Sequence, residues 1–462
     1  MTLQSFTDTI AAISTPIGVG GISIIRISGS LTKTILFKLC TVSNIDANQI
    51  KFSRFLNTNN SIVDEGLISY FKAPHSYTGE DIAEVNCHGG YITAKIILNT
   101  IICHGARLAD KGEFTQRAFI NGKLDLLQAE SIIDIIESKT EKSSSISVNQ
   151  LEGNLSKKIR DIRKQLLDTI AHLEVHLDYP EDEELETHQN YLNNLKQISN
   201  NINKLLDTYQ TGRIYREGVL TVIIGKPNVG KSSLLNTLLE DNRAIVSDIP
   251  GTTRDTIEEW IQLEGIPFKL VDTAGLRETQ SSIEQIGIDK AKNFLEKSDI
   301  QIIILDAETG IENEDKVMLK NHLTNNSVII INKCDLKQRK VKEITKYLKN
   351  QKFIHEVNLI SVLKNDGIKS LIKKLTLKAE YLLGSNLIKE NNTIISNDRQ
   401  KEKLLKANES IKNASQSISK NMPEDFWLID LKDALTSLGE ISGESVSDEV
   451  LSNIFSRFCV GK

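Results

Sequence analysis

Short apolar runs separated by glycine-rich turns dominate the first part of the chain. Ile22–Ile27 and Ala83–Cys87 are two such runs, and a stretch with helical spacing follows Tyr91. Short apolar runs bounded by turn residues are typical of buried strands, whereas longer stretches with a period near 3.6 residues indicate helices. The pattern predicts a mixed α/β domain over residues 1–120.

Two further segments, residues 121–215 and 383–462, carry the spacing of amphipathic helices. Their apolar residues recur at steps of three and four, which places them on one face of each helix. These residues are Ile159, Ile162, Leu166, Ile170, Leu173, Leu192, Leu195, Ile198, Ile202 and Leu205, then Leu404, Ala407, Ile411, Ala414, Ile418, Leu428, Leu431, Leu435 and Leu438. Neither segment has many partners of its own, so we expect the two to pack as one helical domain that is discontinuous in sequence.

Between the helical segments, residues 216–382 alternate apolar runs with helical stretches. The runs are continuous, as expected for buried strands of a mainly parallel sheet. They are Val219–Ile224, Phe268–Val271, Ile300–Leu305 and Val328–Ile331. The sequence therefore predicts an α/β and α multidomain fold, in which a domain with a mainly parallel sheet is inserted into the helical domain.

Composition and charge exclude some classes of protein. With 462 residues, the chain has room for about three domains. Its 39% apolar and 25% charged residues are ordinary for a globular protein. A net charge of -5 excludes a protein that binds nucleic acid through overall positive charge, although a local basic patch is compatible with it.

The cysteines and the apolar runs bear on the compartment. The five cysteines are odd in number and form no Cys-x-x-Cys pair, which argues against a disulfide framework or a cysteine-rich zinc site. The first residues lack the pattern of a signal peptide, and no apolar run approaches the roughly 18 residues that span a bilayer. We therefore expect a cytoplasmic protein with reduced thiols and no membrane partner.

A phosphate-binding loop is the strongest chemical motif in the chain. Gly225–Ser232 has the sequence Gly-Lys-Pro-Asn-Val-Gly-Lys-Ser, follows a predicted strand and precedes a helical run. Its glycines allow backbone N–H groups to turn around phosphates, and Lys231 can reach the β and γ oxygens. The Ser232 hydroxyl is the expected ligand of Mg²⁺. The alternative is a chance glycine-rich turn, which this strand–loop–helix context disfavours.

Two more motifs occur in the order that a GTPase requires. Asp272-Thr-Ala-Gly275 ends a predicted strand, so that Asp272 can support the metal and the Gly275 N–H can sense the γ-phosphate. Asn332-Lys-Cys-Asp335 also ends a strand. The Asp335 carboxylate can accept hydrogen bonds from N1–H and the exocyclic amine of guanine, a donor pair that adenine lacks. Together the motifs resemble those of translation-factor-type GTPases and predict GTP as the nucleotide.

The expected GTP-binding residues extend beyond these motifs. Thr252 and Thr253 stand where a switch I threonine is needed, and Thr253 would ligate Mg²⁺ with Ser232. Ser361-Val-Leu363 stands where Ser-Ala-Lys is usual, so that this element of the base pocket departs from the common pattern at its second and third positions. The full predicted set is Asn228, Val229, Gly230, Lys231, Ser232, Ser233, Ser247, Asp248, Ile249, Pro250, Gly251, Thr252, Thr253, Asp272, Thr273, Ala274, Gly275, Asn332, Lys333, Asp335, Ser361, Val362 and Leu363.

Hydrolysis is not expected to follow the Ras pattern, because Leu276 occupies the position of the glutamine that orients the attacking water. Asn228 instead resembles the residue of GTPases that bind K⁺ beside the β and γ phosphates, where a cation can offset developing charge. Backbone carbonyls of Ser247, Ile249 and Thr252 would complete that K⁺ site. Under the alternative, the Asn228 side chain only stabilises the loop.

The order of domains and several segments resemble the MnmE (TrmE) family of tRNA-modification GTPases. The resemblance covers essentially the whole chain and includes the three nucleotide motifs. The other segments that carry it are Asp8–Ala12, Gly20–Gly29, Tyr77–Asp81, Cys87–Gly90, Gly112–Phe119, Asn121–Leu126 and Phe458–Lys462. It implies that residues 1–120 form a tetrahydrofolate-binding-like and dimerisation domain, and that the inserted domain is a P-loop GTPase.

The resemblance also implies a reaction. Family members are homodimers that join an FAD-dependent partner of the MnmG type in a heterotetramer, and the pair adds an aminomethyl or carboxymethylaminomethyl group at C5 of the wobble uridine of certain tRNAs. The one-carbon unit comes from 5-formyl- or 5,10-methylene-tetrahydrofolate. By motif position, the folate contacts fall on Arg26, Glu84, Lys123 and Lys462. Without the resemblance, each cation is more simply a strand-edge, helix-start or terminal charge.

Two more residues receive roles only through the resemblance. Glu284 would orient the attacking water through a bridging water, and the Cys459 thiol would take part in the modification near the folate carbon. The alternatives are a solvated loop charge and an inert terminal thiol. K⁺-stimulated GTP hydrolysis would drive a rearrangement of the GTPase domains. A ribosome-assembly GTPase switch and a folate enzyme regulated by GTP are the competing functions.

Overall fold

The computed structural model of the chain describes residues 7–178, 188–242, 258–272, 293–336, 340–350, 357–384 and 393–462. Two compact units are built from interleaved parts of the sequence. The first comprises residues 1–133, 150–195 and 409–462, and the second comprises residues 134–149 and 196–408. The predicted α/β and α multidomain fold is confirmed. The finer division into residues 1–120, 121–215, 216–382 and 383–462 stays a prediction.

The first unit contains a sheet in which almost all neighbours are antiparallel. Its strands are β1 (Ile10–Ile13), β2 (Ile22–Ser28), β3 (Ile50–Leu56), β4 (Ile62–Phe71), β5 (Ile82–His88) and β6 (Arg107–Leu108). The order is β3-β4-β5-β2-β1-β6, and only β1 and β6 pair in parallel. Helices α1 (Thr32–Leu39) and α2 (Tyr91–Cys103) contribute apolar residues to the same buried core as the strands. Because α1 is short, the sequence pattern indicated only α2.

The second unit contains the predicted mainly parallel sheet. Its strands are β7 (Val219–Ile224), β8 (Glu258–Leu263), β9 (Ile266–Asp272), β10 (Ile300–Asp306), β11 (Ser327–Asn332) and β12 (Val357–Leu359). The order is β12-β11-β10-β7-β9-β8, and the edge strand β8 is antiparallel to β9. β7, β9 and β11 run in the same direction, so their carboxyl ends lie at one edge of the sheet, where each nucleotide motif begins.

Helices occupy most of the remaining described chain. They are α3 (Glu113–Ile120), α4 (Leu126–Glu137), α5 (Glu141–Leu151), α6 (Asn154–Asp178), α7 (His188–Leu206), α8 (Tyr209–Glu217), α9 (Lys231–Asn242), α10 (Asn313–His322), α11 (Val341–Asn350), α12 (Ile368–Leu383), α13 (Asp398–Ser419), α14 (Glu424–Ser442) and α15 (Asp448–Phe455). Within the described ranges, no helix is long and apolar enough to cross a membrane.

Helices from before and after the inserted domain pack together, as predicted for a discontinuous helical domain. In the first unit, α6 packs against α14. In the second unit, the Ser199 hydroxyl of α7 donates to the Asn408 side chain of α13 at 2.7 Å. The apolar faces predicted for α6, α7 and α13 are buried or half-buried. For α14, the predicted Leu431 and Leu438 are fully buried together with Trp427 and Ala434, and the predicted Leu428 and Leu435 are half-buried.

Candidate functional site

The phosphate-binding loop connects β7 to α9 and contains two positions that only glycine can occupy. A Cβ atom on Gly225 would lie 2.9 Å from the Ile304 carbonyl oxygen, and one on Gly230 would lie 2.4 Å from the Asn332 amide nitrogen. Gly230 also has a φ of 100°, in the region that favours glycine. The loop is thereby held close to β10 and β11, with its backbone in the geometry of a phosphate cradle.

Lys231 and Ser232 lie in the first turn of α9, where their positive and polar groups face the loop. The buried Lys231 ammonium donates to the carbonyl oxygens of Gly225 at 3.0 Å and Lys226 at 2.8 Å. The Ser232 hydroxyl donates to a carboxylate oxygen of Asp272, the last residue of β9, at 2.7 Å. A hydroxyl and a carboxylate are oxygen donors of the kind that Mg²⁺ prefers, so this pair fits that ion.

Asn332 connects the phosphate loop to the Ser361 element. Its side-chain amide nitrogen donates to the Val229 carbonyl at 2.9 Å, and its oxygen accepts from the Val362 backbone N–H at 3.1 Å. The amide group is buried and is placed at the end of β11. Two motifs that are about a hundred residues apart in sequence therefore share one hydrogen-bonded residue.

Asp335, the predicted guanine acceptor, is held by the Ser361–Leu363 element. The Ser361 hydroxyl donates to Asp335 at 2.6 Å, and this hydrogen bond lowers the pKa of the Asp335 carboxyl below its usual value. Only the serine side chain and the Val362 backbone make these contacts, while the Leu363 side chain is 89% exposed. The departure from Ser-Ala-Lys therefore leaves the observed contacts of this element intact.

The remaining nucleotide residues divide into placed and unplaced ones. Asn228 is exposed with a φ of 62°, and Lys333, also at 62°, pairs through its ammonium with Asp306 at 2.6 Å. Ser233 is exposed on α9. The predicted positions outside the described residues are Ser247, Asp248, Ile249, Pro250, Gly251, Thr252, Thr253, Thr273, Ala274, Gly275 and Glu284.

The predicted folate residues Arg26 and Glu84 form a pair on adjacent strands. They are direct partners in the β2–β5 register, and the Arg26 guanidinium contacts one Glu84 oxygen at 2.7 and 3.1 Å. The guanidinium lies 5.6 Å from the Tyr77 ring centroid and 5.8 Å from that of Phe114. Charged groups beside two aromatic rings can hold a flat ring with polar edges, which fits a pterin.

The C-terminal tail docks beside this pair. The Gly461 carbonyl accepts hydrogen bonds from the Ser14 hydroxyl at 3.1 Å and from Arg26 at 3.5 Å, and the Lys462 carbonyl accepts from the Phe114 backbone N–H at 3.2 Å. Burial and the positive charge of Arg26 lower the pKa of Lys462. The tail is thus an ordered part of the first unit and not a frayed end, and it presents Cys459 with an exposed thiol.

Lys123 differs from the other predicted folate residues. Its ammonium is exposed and donates to the Pro74 carbonyl at 3.1 Å. Its stem lies against Gly79, where an added Cβ would come within 3.4 Å of the lysine Cγ. Lys123 therefore contacts the loop between β4 and β5. Its contact with folate stays a prediction.

A buried charge network is the main feature that the sequence interpretation missed. The fully buried Arg117 side chain contacts Glu113 at 2.8 Å, Asp8 at 2.7 Å and Glu80 at 3.2 Å, and Arg107 also pairs with Glu113 at 2.6 Å. Four of these five residues lie in segments that carry the family resemblance. The Glu113–Arg117 spacing of four on a helix was the available signal.

Comparison with known proteins assigns the family. The model described as the GTP-binding protein TrmE N-terminus matches residues 9–123, and the model described as the MnmE helical domain matches residues 126–459. A tRNA modification GTPase MnmE from Clostridioides difficile (strain 630) is 44% identical over 98% of this chain and 99% of that protein. The one from Lactobacillus johnsonii is 43% identical over 98% of both chains.

A solved structure of Aquifex aeolicus Era with GDP and AlF4⁻ shares 27% identity over 41% of this chain and 65% of that chain, at a TM-score of 0.29. At this TM-score the likeness adds nothing to the assignment. The two family models and the full-length relatives confirm the resemblance seen in the sequence. The chain belongs to the MnmE (TrmE) family of tRNA modification GTPases.

Proposed function

We propose that this chain hydrolyses GTP and, with an FAD-dependent partner of the MnmG type, adds an aminomethyl or carboxymethylaminomethyl group at C5 of the wobble uridine of certain tRNAs. A cytoplasmic homodimer within a heterotetramer is the proposed assembly. The observation that carries the proposal is that one chain combines a GTPase motif set with a docked tail beside the Arg26–Glu84 pair. A GTPase that acts only as a switch has no need of that second site.

The nucleotide part of the proposal follows from the loop geometry. Lys231 would release the loop carbonyls for the β and γ oxygens of GTP, and Asp335 would accept hydrogen bonds from guanine. Ser232 and Thr253 would ligate Mg²⁺, and Asp272 would support the ion through its hydrogen bond with Ser232. When bound, Mg²⁺ offsets the negative charge that develops on the phosphates. Asn332 fixes the phosphate side and the base side of the site relative to each other, because it is hydrogen-bonded to both.

The modification part of the proposal rests on the tail. Arg26 would pair with an oxygen of a tetrahydrofolate derivative and Glu84 would accept from its ring N–H groups, while Lys462 supplies a second cation. When bound, the folate derivative supplies the one-carbon unit. The exposed Cys459 thiol stands three residues from Lys462 and is proposed to act near that carbon.

The decisive experiment is nucleoside analysis of tRNA from cells that lack this protein. We expect loss of the C5 group on the wobble uridine and its return when the wild-type chain is expressed. Cys459→Ser should fail to restore it while hydrolysing GTP normally, and Cys103→Ser, also exposed, should restore it. Wild-type nucleosides in the deletion strain would contradict the proposed function.

Water orientation by Glu284 and K⁺ binding by Asn228 are proposals about hydrolysis alone. Glu284→Ala should slow GTP turnover and leave GTP affinity unchanged, because the residue would act on water and not on the nucleotide. Turnover should be faster in K⁺ than in Na⁺, and Asn228→Ala should abolish that difference. Equal rates in the two salts would remove the K⁺ site from the proposal.

A further inference from the structure

A concentrated lysine surface lies on two helices of the second unit. Lys342, Lys346 and Lys349 recur at steps of four and three along α11, and Lys316 and Lys320 lie one turn apart on α10. All five are exposed. We define these five residues as the α10–α11 lysine surface.

Contacts between the two helices show that their lysines belong to one surface. The Lys316 ammonium lies 5.8 Å from the ring centroid of Tyr347, which stands between Lys346 and Lys349 on α11. Leu319 of α10 and Ile344 of α11 are buried in a shared apolar core. The helices are therefore packed side by side, with their lysines facing solvent.

The positive charge of this surface is not cancelled by neighbouring acids. Glu312 and Asp315 at the start of α10 both pair with Lys226, at 2.6 and 2.8 Å. Glu314 and Glu343 are the remaining acids within the two helices. Across the described residues, none of the five lysines forms an ion pair with a carboxylate. The surface therefore carries a local excess of positive charge on a chain whose net charge is -5.

We infer that the α10–α11 lysine surface binds the phosphate backbone of tRNA; this inference rests on the proposed function. Lysines one turn apart are about 5–6 Å from each other, and the stretch from Lys342 to Lys349 covers about 10 Å of helix axis. Flexible point charges at this spacing suit a phosphate chain and not a particular base. The apolar face of α11 is buried, so the helix lacks the free apolar face that an interfacial membrane helix requires.

Salt-dependent binding of unmodified tRNA to the full-length chain tests this inference. Replacing Lys342, Lys346 and Lys349 with Gln should weaken tRNA binding. The plot of log affinity against log salt should also become less steep by about 2 to 3, since each phosphate contact contributes roughly 0.7–0.9 to its steepness. GTP turnover and thermal stability should not change, because none of the three residues contacts the nucleotide motifs.

A matched control removes the same charge elsewhere. Lys406 and Lys412 lie on α13, where Glu402 and Glu409 alternate with them, and Lys420 directly follows the helix. Their replacement with Gln should leave both the affinity and the slope at wild-type values. Equal loss in the control, or an unchanged slope in the α11 variant, would overturn the inference.

Two further readouts distinguish tRNA binding by this surface from membrane binding and from a failure of the proposed function. Binding to phosphatidylserine vesicles that is lost in the α11 variant, with tRNA binding unchanged, would assign the surface to a membrane and overturn the inference. Normal wobble nucleosides in the deletion strain would contradict the proposed function whatever the binding result. An unchanged slope together with abnormal nucleosides would remove the lysine surface alone.

Discussion

The nucleotide loop and the tail site assemble their residues in opposite ways. The loop is contiguous from Gly225 to Ser232. Its geometry depends on backbone conformation and on Gly225 and Gly230, where the Cβ of any other residue would clash. The tail site joins Arg26 to the carbonyl of Gly461, a residue 435 positions away in sequence, and depends on side-chain charges. A backbone site is encoded locally and is visible as a motif, whereas a charge site exists only after distant segments have folded together.

Removing the central charge of the first unit should have the largest effect on stability. Arg117→Ala should lower the free energy of unfolding of that unit by about 3–5 kcal/mol, because Asp8, Glu80 and Glu113 lose a buried partner. Hydrogen exchange in peptides from β2 and β5 measures this. GTP affinity should stay at its wild-type value.

The matched control for that variant is Arg54→Ala, in which the arginine is exposed and lies 3.6 Å from Glu65. Such a surface pair should contribute about 0–1 kcal/mol. A parallel loss of GTP affinity in Arg117→Ala would show that the two regions are coupled and not separately encoded.

Disturbing the loop backbone should have the next largest effect. Gly230→Ala should weaken GTP binding by about 100-fold or more, because the strained φ and the contact with Asn332 both oppose the methyl group. Titration with a fluorescent GTP analogue measures it. Gly265→Ala is the control, since Gly265 also has a positive φ of 84° but has nothing within 4 Å of an added Cβ. Wild-type binding by Gly230→Ala would show that the loop does not depend on this glycine.

Acid should weaken the buried charge network of the first unit. Burial alone would raise the pKa of Glu113, but hydrogen bonds from Arg107, the Asp110 backbone N–H and Arg117 hold that pKa below its ordinary value of 4.5. The stabilisation is therefore present above pH 4.5 and is lost as pH falls through the lower, folded-state pKa.

Urea unfolding of the first unit at successive pH values checks this dependence. Glu113→Gln should flatten the loss of stability in acid, and the exposed Glu65→Gln should follow the wild-type curve. A wild-type acid profile in Glu113→Gln would remove that carboxylate as the source of the pH dependence.

The smallest expected effect comes from changes in the Ser361–Leu363 element. Ser361→Ala should weaken GTP binding by about two- to tenfold, as expected for the loss of one hydrogen bond. The pKa of Asp335, followed by NMR, should rise, since the Ser361 hydroxyl is the main group that lowers it. Leu363→Ala should change neither quantity, because that side chain is exposed. An effect of Leu363→Ala as large as that of Ser361→Ala would show that the third position also matters.

Prediction from the sequence succeeded where periodicity or a contiguous motif carried the information. The long helices α6, α7 and α13, the mainly parallel sheet and the phosphate loop all follow from local spacing. The short helix α1 was not foreseen, because eight residues give little periodic signal, and the edge strand β8 was not foreseen, because Glu258–Leu263 is not a continuous apolar run. On α14 the predicted Leu431 and Leu438 are buried, while Trp427 and Ala434 join them on the inner face and Leu428 and Leu435 lie half-buried at its margin.

The sequence alone determined the order of elements, the nucleotide motifs and the family, because each depends on residues that are close together or on the whole pattern. The tertiary structure decided which charges meet. Arg26 and Glu84 became a pair only through strand register, and Arg117 became buried only when Asp8, Glu80 and Glu113 surrounded it. A charge tolerates burial only with its partners in place, and the partners of these residues come from segments that the folded chain alone brings together.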